Sequence, residues 1–102
     1  MLLSGSIASA QSSLWSFDFT TTFDKGYASK DSVNQRLVDD ALKVLGTSKW
    51  PQRLGEVKST PDGRVLVYEV GDKYRLSYRV DYISRIIQFI RVCDHKTVYG
   101  KD

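Results

Sequence analysis

The pattern of hydrophobic and polar residues opens with a short strand and continues into helical structure. Large apolar residues alternate with small polar ones from Trp15 to Phe19, which is the period of a strand with one buried face. Trp15, Phe17 and Phe19 would share that face. The following segment, residues 20–30, is predicted to form a turn and then a short helical piece that Gly26 weakens.

The clearest helix is predicted over residues 32–45. Its start, Ser32-Val33-Asn34-Gln35, has the form of a capping box, in which the Ser32 hydroxyl and the Gln35 side chain satisfy free backbone N–H groups. Gly46 supplies a stop signal at the other end. We interpret the apolar stripe of this helix as the face that packs on a sheet. The stripe consists of Val33, Leu37, Val38, Ala41, Leu42 and Leu45.

Four more strands are predicted after the helix, at residues 53–58, 65–70, 74–80 and 85–92. Turn signals separate them at Pro61-Asp62-Gly63, at Gly71-Asp72-Lys73 and at residues 81–84. Strands that follow one another through short turns pair antiparallel. The predicted fold class is therefore α+β, with one or two N-terminal helices packed on a four- to five-stranded, mainly antiparallel sheet.

Composition narrows the class of protein without deciding its function. The 102 residues suffice for one domain, and the net charge of +3 permits polyanion binding without requiring it. The single Cys93 excludes an intramolecular disulfide and favours a cytoplasmic location. No stretch approaches the roughly 20 apolar residues that span a bilayer, so no membrane partner is expected. We predict a flexible leader over residues 1–14 and one domain over residues 15–102.

The strand predicted at residues 74–80 has one cationic face. Arg75 and Arg79 lie on one side with Ser77, whereas Tyr74, Leu76, Tyr78 and Val80 lie on the other. Arg91, near the end of the last strand, is expected to join the same surface. Such a surface suits phosphate binding, because the guanidinium group presents a planar fork of donors. The simpler alternative is a solvated face whose charges prevent edge aggregation.

A short polar segment after the last strand carries the candidate acid–base chemistry. His95 is the only histidine, Lys96 follows it, and Tyr99 adds a ring that could stack on a base. RNA cleavage by the 2′-hydroxyl needs a base, a cation and an acid, and these side chains with Arg75 offer such groups without a metal. Cys93 as a nucleophile is the weaker alternative. One His and one Cys cannot form a structural zinc site, and the sequence has no Gly-rich phosphate loop.

The order of these parts resembles the RelE/ParE superfamily of toxins from toxin–antitoxin pairs. The resemblance rests on a Tyr-Arg-x-x-Tyr strand, a hydrophobic strand ending in Arg-Val, and a polar segment closing on Val-Tyr. It implies a RelE-like domain that cuts mRNA on the ribosome without a cofactor, and an antitoxin partner bound on an apolar sheet or helix surface. The catalytic residues implied are Arg75, His95 and Tyr99. The predicted RNA-binding residues are Lys58, Arg64, Arg79, Arg91 and Lys96.

One departure from the family pattern keeps other functions open. Some RelE members carry two lysines on the strand ahead of the Tyr-Arg motif, where this chain has Leu66 and Tyr68. A depleted catalytic set is typical of the ParE branch, which acts on DNA gyrase. The alternatives are therefore a ParE-like gyrase poison and a RelE-fold binding protein without nuclease activity.

Overall fold

The computed structural model describes residues 14–94. The predicted leader, residues 1–14, lies outside this range except for Leu14. Within the described range, no helix has the length and apolar character that crossing a membrane requires. The elements in chain order are β1 (Ser16–Phe19), α1 (Thr21–Ala28), α2 (Ser32–Gly46), a 3₁₀ turn (Pro51–Arg53), β2 (Glu56–Thr60), β3 (Gly63–Val70), β4 (Tyr74–Asp81) and β5 (Ile86–Asp94).

The strands form a five-stranded sheet in the order β1-β5-β4-β3-β2. The pairs from β2 to β5 are antiparallel, as expected for strands joined by short turns, whereas β1 runs parallel to β5. The β4–β5 register shifts between Ser77 and Tyr78, which leaves one extra residue, Ile90, in β5. The α+β class, the two N-terminal helices and the mainly antiparallel sheet are confirmed.

Both helices pack on one face of the sheet around a single apolar core. Its fully buried centre includes Tyr78 from the central strand β4, Phe89 from the neighbouring β5 and Leu45 from α2. The predicted stripe of α2 faces this core through Val38, Ala41 and Leu45, but Val33 is 71% exposed and does not belong to it. The helix stripe thus packs on the sheet, and its first residue was wrongly included.

The cap of α2 differs from the prediction, whereas the short helical piece predicted within residues 20–30 is confirmed. Helix α2 begins at Ser32, and its cap is Asp31, whose carboxylate accepts from the Asn34 N–H. The predicted Ser32 capping box is therefore wrong, and the Gln35 amide instead donates to the Tyr27 carbonyl. Helix α1 is a full eight-residue helix capped by the Thr20 hydroxyl. An aspartate directly before a serine offers a second good cap one residue earlier.

Gly26 lies where α1 comes close to the sheet. A Cβ atom at this position would lie 2.8 Å from the Val92 carbonyl oxygen of β5. The glycine that weakens the local helix signal therefore permits the close packing of α1 on the sheet.

The segment between α2 and β3 also differs from its prediction. Arg53 lies in the 3₁₀ turn, and β2 begins at Glu56 instead of residue 53. Helix α2 runs through Gly46 and is capped by Thr47, so Gly46 does not terminate it. The predicted turn at residues 61–63 is confirmed, with Gly63 at φ 97°. Pro51 begins the 3₁₀ turn, and its carbonyl accepts a 2.7 Å hydrogen bond from the buried Tyr78 hydroxyl.

Candidate functional site

The face of the sheet opposite the helices carries the predicted arginines, and we call it the arginine face. Strand alternation places Arg75, Ser77 and Arg79 of β4 on this face, because Leu76 and Tyr78 belong to the helix-side core. The extra residue in β5 brings Arg91 to the same face, where it pairs with Ser77. The residues between the arginines form a small apolar cluster of Val65, Val67, Ile90 and Cys93.

Arg75 lies near the end of the β4–β5 pair and is 8% exposed. Its guanidinium Nη2 forms a 3.1 Å ion pair with Oε2 of Glu69, the residue directly opposite on β3. On its other side it pairs with Cys93, and β5 ends one residue later at Asp94. Arg75 is therefore a rigidly held, largely buried cation at the end of the sheet from which the chain continues to His95.

Arg79 and Arg91 converge on the β2–β3 turn. Asp62 binds the Arg91 guanidinium with both carboxylate oxygens, at 2.8 Å to Nε and 3.0 Å to Nη2. Its backbone carbonyl accepts a 2.7 Å hydrogen bond from Nη2 of Arg79. The hydrogen bonds from Arg91, with the charges of both arginines, hold the pKa of the Asp62 carboxyl below its usual value. The same carboxylate raises the pKa of Arg91.

The remaining two predicted cations lie on opposite faces of the sheet. Lys58 is paired with Val65 and therefore lies on the arginine face, at its edge strand β2, where its Nζ is 3.5 Å from Oε1 of Glu56. Arg64 does not join the arginine face, because alternation along β3 places it on the side of Leu66, which packs against the helix-side core. Of the predicted RNA-binding residues within the described range, the structure brings Arg79 and Arg91 together and leaves Arg64 apart.

His95, Lys96 and Tyr99 lie outside the described residues. The catalytic set predicted from sequence is thus represented by Arg75 alone. Among residues 14–94, no group of three or more His, Cys, Asp or Glu side chains is placed to hold a metal ion.

The sequence reasoning missed the acidic partners of the arginines. Glu69 had a usable signal, because a hairpin turn centred on Asp72 places residues 69 and 75 opposite one another, as observed. Asp62 had no comparable signal. Its partner Arg91 lies on β5, and strands β3 and β4 separate β5 from β2 in the sheet.

An exposed apolar patch lies at the hairpin end of β4 and β5. The rings of Trp50 and Tyr82 lie 6.2 Å apart, and Ile83 beside them is 96% exposed. Arg85, directly after this turn, has a backbone φ of 59°. Its guanidinium carbon lies 4.3 Å from the centroid of the Trp15 ring, which is a cation–π contact. The patch is separated along β4 from Arg75 and belongs to a different surface.

Of the comparisons with known proteins, only the one with solved structures finds similar proteins. No protein-family model matches the sequence, and no curated protein matches it. A chain of the RelBE2 toxin–antitoxin complex from Mycobacterium tuberculosis superposes with a TM-score of 0.65 at 23% identity, covering 79% of this chain and 98% of that one. The archaeal RelE–RelB complex from Pyrococcus horikoshii gives 0.63 at 17% identity, covering 82% and 98%.

The structure of an isolated RelE toxin is also similar to this chain. The E. coli RelE toxin superposes with a TM-score of 0.60 at 20% identity, covering 84% of this chain and 92% of that one. The chain therefore has the fold of the RelE-like toxins along nearly the whole length of these proteins.

Proposed function

We propose that the protein is the toxin of a toxin–antitoxin pair and cuts mRNA on the ribosome, in the cytoplasm and without a metal or other cofactor. The observation that supports this best is the combination of fold and site. Nearly complete RelE chains superpose on this one, and Arg75 is held beside the strand end from which the chain continues to His95.

The proposed reaction uses the RNA's own 2′-hydroxyl as the nucleophile. The 2′-hydroxyl gives its proton to a base and attacks the adjacent phosphorus, the bond to the 5′-oxygen breaks, and that oxygen takes up a proton from an acid. Arg75 stabilises the charge on the phosphate, His95 donates the proton to the leaving oxygen, and Tyr99 orients a neighbouring base. The products are a 2′,3′-cyclic phosphate and a free 5′-hydroxyl.

We further propose that an antitoxin binds the chain and suppresses this activity. Several of the similar structures are complexes of a toxin with its antitoxin, so the fold is compatible with such a partner. The exposed patch of Trp50, Tyr82 and Ile83 offers apolar surface of the kind that marks protein interfaces. Alanine at Trp50 is expected to weaken antitoxin binding and leave cleavage unchanged.

A non-enzymatic binding protein with the same fold is the second candidate. It is favoured by the burial of Arg75 and its ion pair with Glu69, which reduce the charge available to a substrate. Leu66 and Tyr68 favour it as well, since they stand where some RelE members carry lysines.

Expression in a host without the antitoxin tests the proposal directly. Growth should stop, and ribosome-bound mRNA should acquire new ends within codons, whereas the His95→Ala variant should permit growth. Intact mRNA with a loss of DNA supercoiling would instead establish the gyrase-poison alternative. Normal growth with intact mRNA, at confirmed expression of folded protein, would favour the binding protein.

A further inference from the structure

The β2–β3 turn places an acidic group on two cations of the arginine face. Asp62 uses both carboxylate oxygens on Arg91 and its carbonyl oxygen on Arg79, at distances of 2.7 to 3.0 Å. The Arg91 ion pair spans the sheet from β5 to the turn before β3, crossing β4. Arg91 and Asp62 are not on adjacent strands, so strand pairing does not bring them together. The contact forms because the β2–β3 turn folds over the arginine face.

The backbone of the turn is shaped for this contact. Gly63 adopts φ 97°, and a Cβ atom there would lie 3.3 Å from Nη2 of Arg79. A larger residue would therefore be strained and would crowd the guanidinium that reaches the Asp62 carbonyl. The positive φ at position 63 therefore favours glycine in this turn.

The charges at this point do not balance. Two guanidinium groups meet one carboxylate, and Arg79 contacts a neutral carbonyl oxygen of Asp62. One unit of positive charge thus remains, on a surface where Arg79 is exposed and the Arg91 side chain is 38% exposed. The second cation also stabilises the Asp62 carboxylate, but it leaves this part of the arginine face with a net positive charge.

A phosphodiester group suits the position that the Asp62 carboxylate occupies. The guanidinium fork of Arg91 binds carboxylate and phosphate oxygens in the same bidentate geometry. The carboxylate side chain is 25% exposed and belongs to a hairpin turn, so it can move aside without disturbing the apolar core.

We infer that Arg79 and Arg91 form a binding site for an RNA phosphodiester, and that Asp62 occupies this site in the free protein and limits its affinity. The inference deepens the proposed function and rests on it for the identity of the polyanion as RNA. RNA binding exchanges one anion for another at Arg91, and Arg79 gains a charged partner. The Asp62 carboxylate thereby sets how strongly the arginine face holds the backbone of a substrate.

The test compares Asp62→Asn with Asp72→Asn by titrating a short fluorescent single-stranded RNA at several salt concentrations. Asp72 is an exposed acid in the neighbouring β3–β4 turn, so its variant has the same net charge but leaves Arg91 paired. Asp62→Asn should bind the RNA about tenfold more tightly than the parent, equivalent to about 1.4 kcal/mol. Asp72→Asn should bind within about twofold of the parent, since exposed charges are screened.

The salt dependence supplies a second readout. Freed from Asp62, Arg91 binds a phosphate with release of its counterion, so the slope of log K against log salt should steepen by about 0.7. Adding Arg91→Ala to Asp62→Asn should abolish both gains. If Asp62→Asn and Asp72→Asn gain the same RNA affinity, the effect is due to net charge alone. If Asp62→Asn binds RNA no more tightly than the parent, or more weakly, Asp62 positions the arginines. Either result overturns the inference.

Two further measurements keep the result decisive. Thermal unfolding verifies that each variant is folded, and Asp62→Ser repeats the test if the asparagine variant is not. Cleavage of mRNA on ribosomes is measured separately. A parent protein that cleaves no mRNA refutes the proposed nuclease while the oligonucleotide titration still decides the role of Asp62.

Discussion

Replacing Gly26 with alanine is expected to destabilise the protein, although alanine is the better helix former. Alanine gains about 1 kcal/mol over glycine in a helix interior. Its Cβ atom, however, would lie 2.8 Å from the Val92 carbonyl oxygen, and Val92 pairs with Leu76 in the middle of the sheet. That carbonyl cannot withdraw without disturbing β4 and β5. Overpacking of this kind typically costs about 1–3 kcal/mol, so we expect a net loss of about 1 kcal/mol.

Urea denaturation of the two proteins measures this loss as a shift of the midpoint at constant slope. In a domain of this size, 1 kcal/mol also lowers Tm by about 4 °C or more. Lys25→Ala is the matched control, because Lys25 is exposed one residue earlier in α1; its effect should stay within about 0.5 kcal/mol. A Gly26→Ala variant as stable as the parent, or more stable, would show that α1 can shift away from β5 and that close packing does not explain the glycine.

Two further predictions concern the proposed site and its ion pair. His95→Ala should slow single-turnover cleavage on programmed ribosomes by about 10²- to 10⁴-fold while ribosome binding persists. Lys96→Ala should slow cleavage less. If His95→Ala cleaves at the parent rate, another group must donate the proton. The stability that Asp62 provides should depend on pH, because Arg91 lowers its pKa in the folded state. The difference in unfolding free energy between the parent and Asp62→Asn should be largest at neutral pH, begin to fall near pH 4, and vanish as the pH drops through the folded-state pKa; a difference independent of pH would contradict this.

The sheet was predictable because its signals are local. Pro61-Asp62-Gly63 and Gly71-Asp72-Lys73 mark turns with defined conformations, and hydrophobic alternation then assigns each strand residue to a face. The hairpin register follows from the turn, which is why the arginines of β4 were placed on one face correctly.

The sequence pattern fell short where two local signals were equally good or where distant contacts decide the structure. Gly26 weakens the helix signal of α1, but the reason for the glycine is the Val92 carbonyl in β5, far away in sequence. Asp31 and Ser32 are both good caps, and the local pattern does not distinguish them. The pairing of Asp62 with Arg91 depends on how the turn folds across the sheet, and alternation gives the face of an arginine without giving its partner.

The spacing of the arginines along β4 predicts that they act at different steps. Arg75 and Arg79 are four residues apart, or about 13 Å at 3.3 Å per residue. Their guanidinium groups have different partners, Glu69 for Arg75 and the Asp62 carbonyl for Arg79, so we expect them to contact different phosphates. Arg75 lies toward the end from which the chain continues to His95, and we assign it to the phosphate that reacts. Arg79 lies nearer the hairpin, and Arg91, which is paired with Ser77, directs its guanidinium to the same residue, Asp62. We assign these two arginines to another phosphate along the same strand.

This division of roles separates binding from rate. Arg75→Ala should lower the single-turnover rate at saturating ribosome complex by about 10²- to 10³-fold, equivalent to about 3–4 kcal/mol, because its charge acts on the transition state. Arg91→Ala should instead raise the concentration needed for half-maximal rate and leave the saturated rate nearly unchanged, since it binds substrate and transition state equally. Similar losses of saturated rate in both variants would mean that the two arginines contact the same phosphate, and the strand geometry would then have been interpreted wrongly.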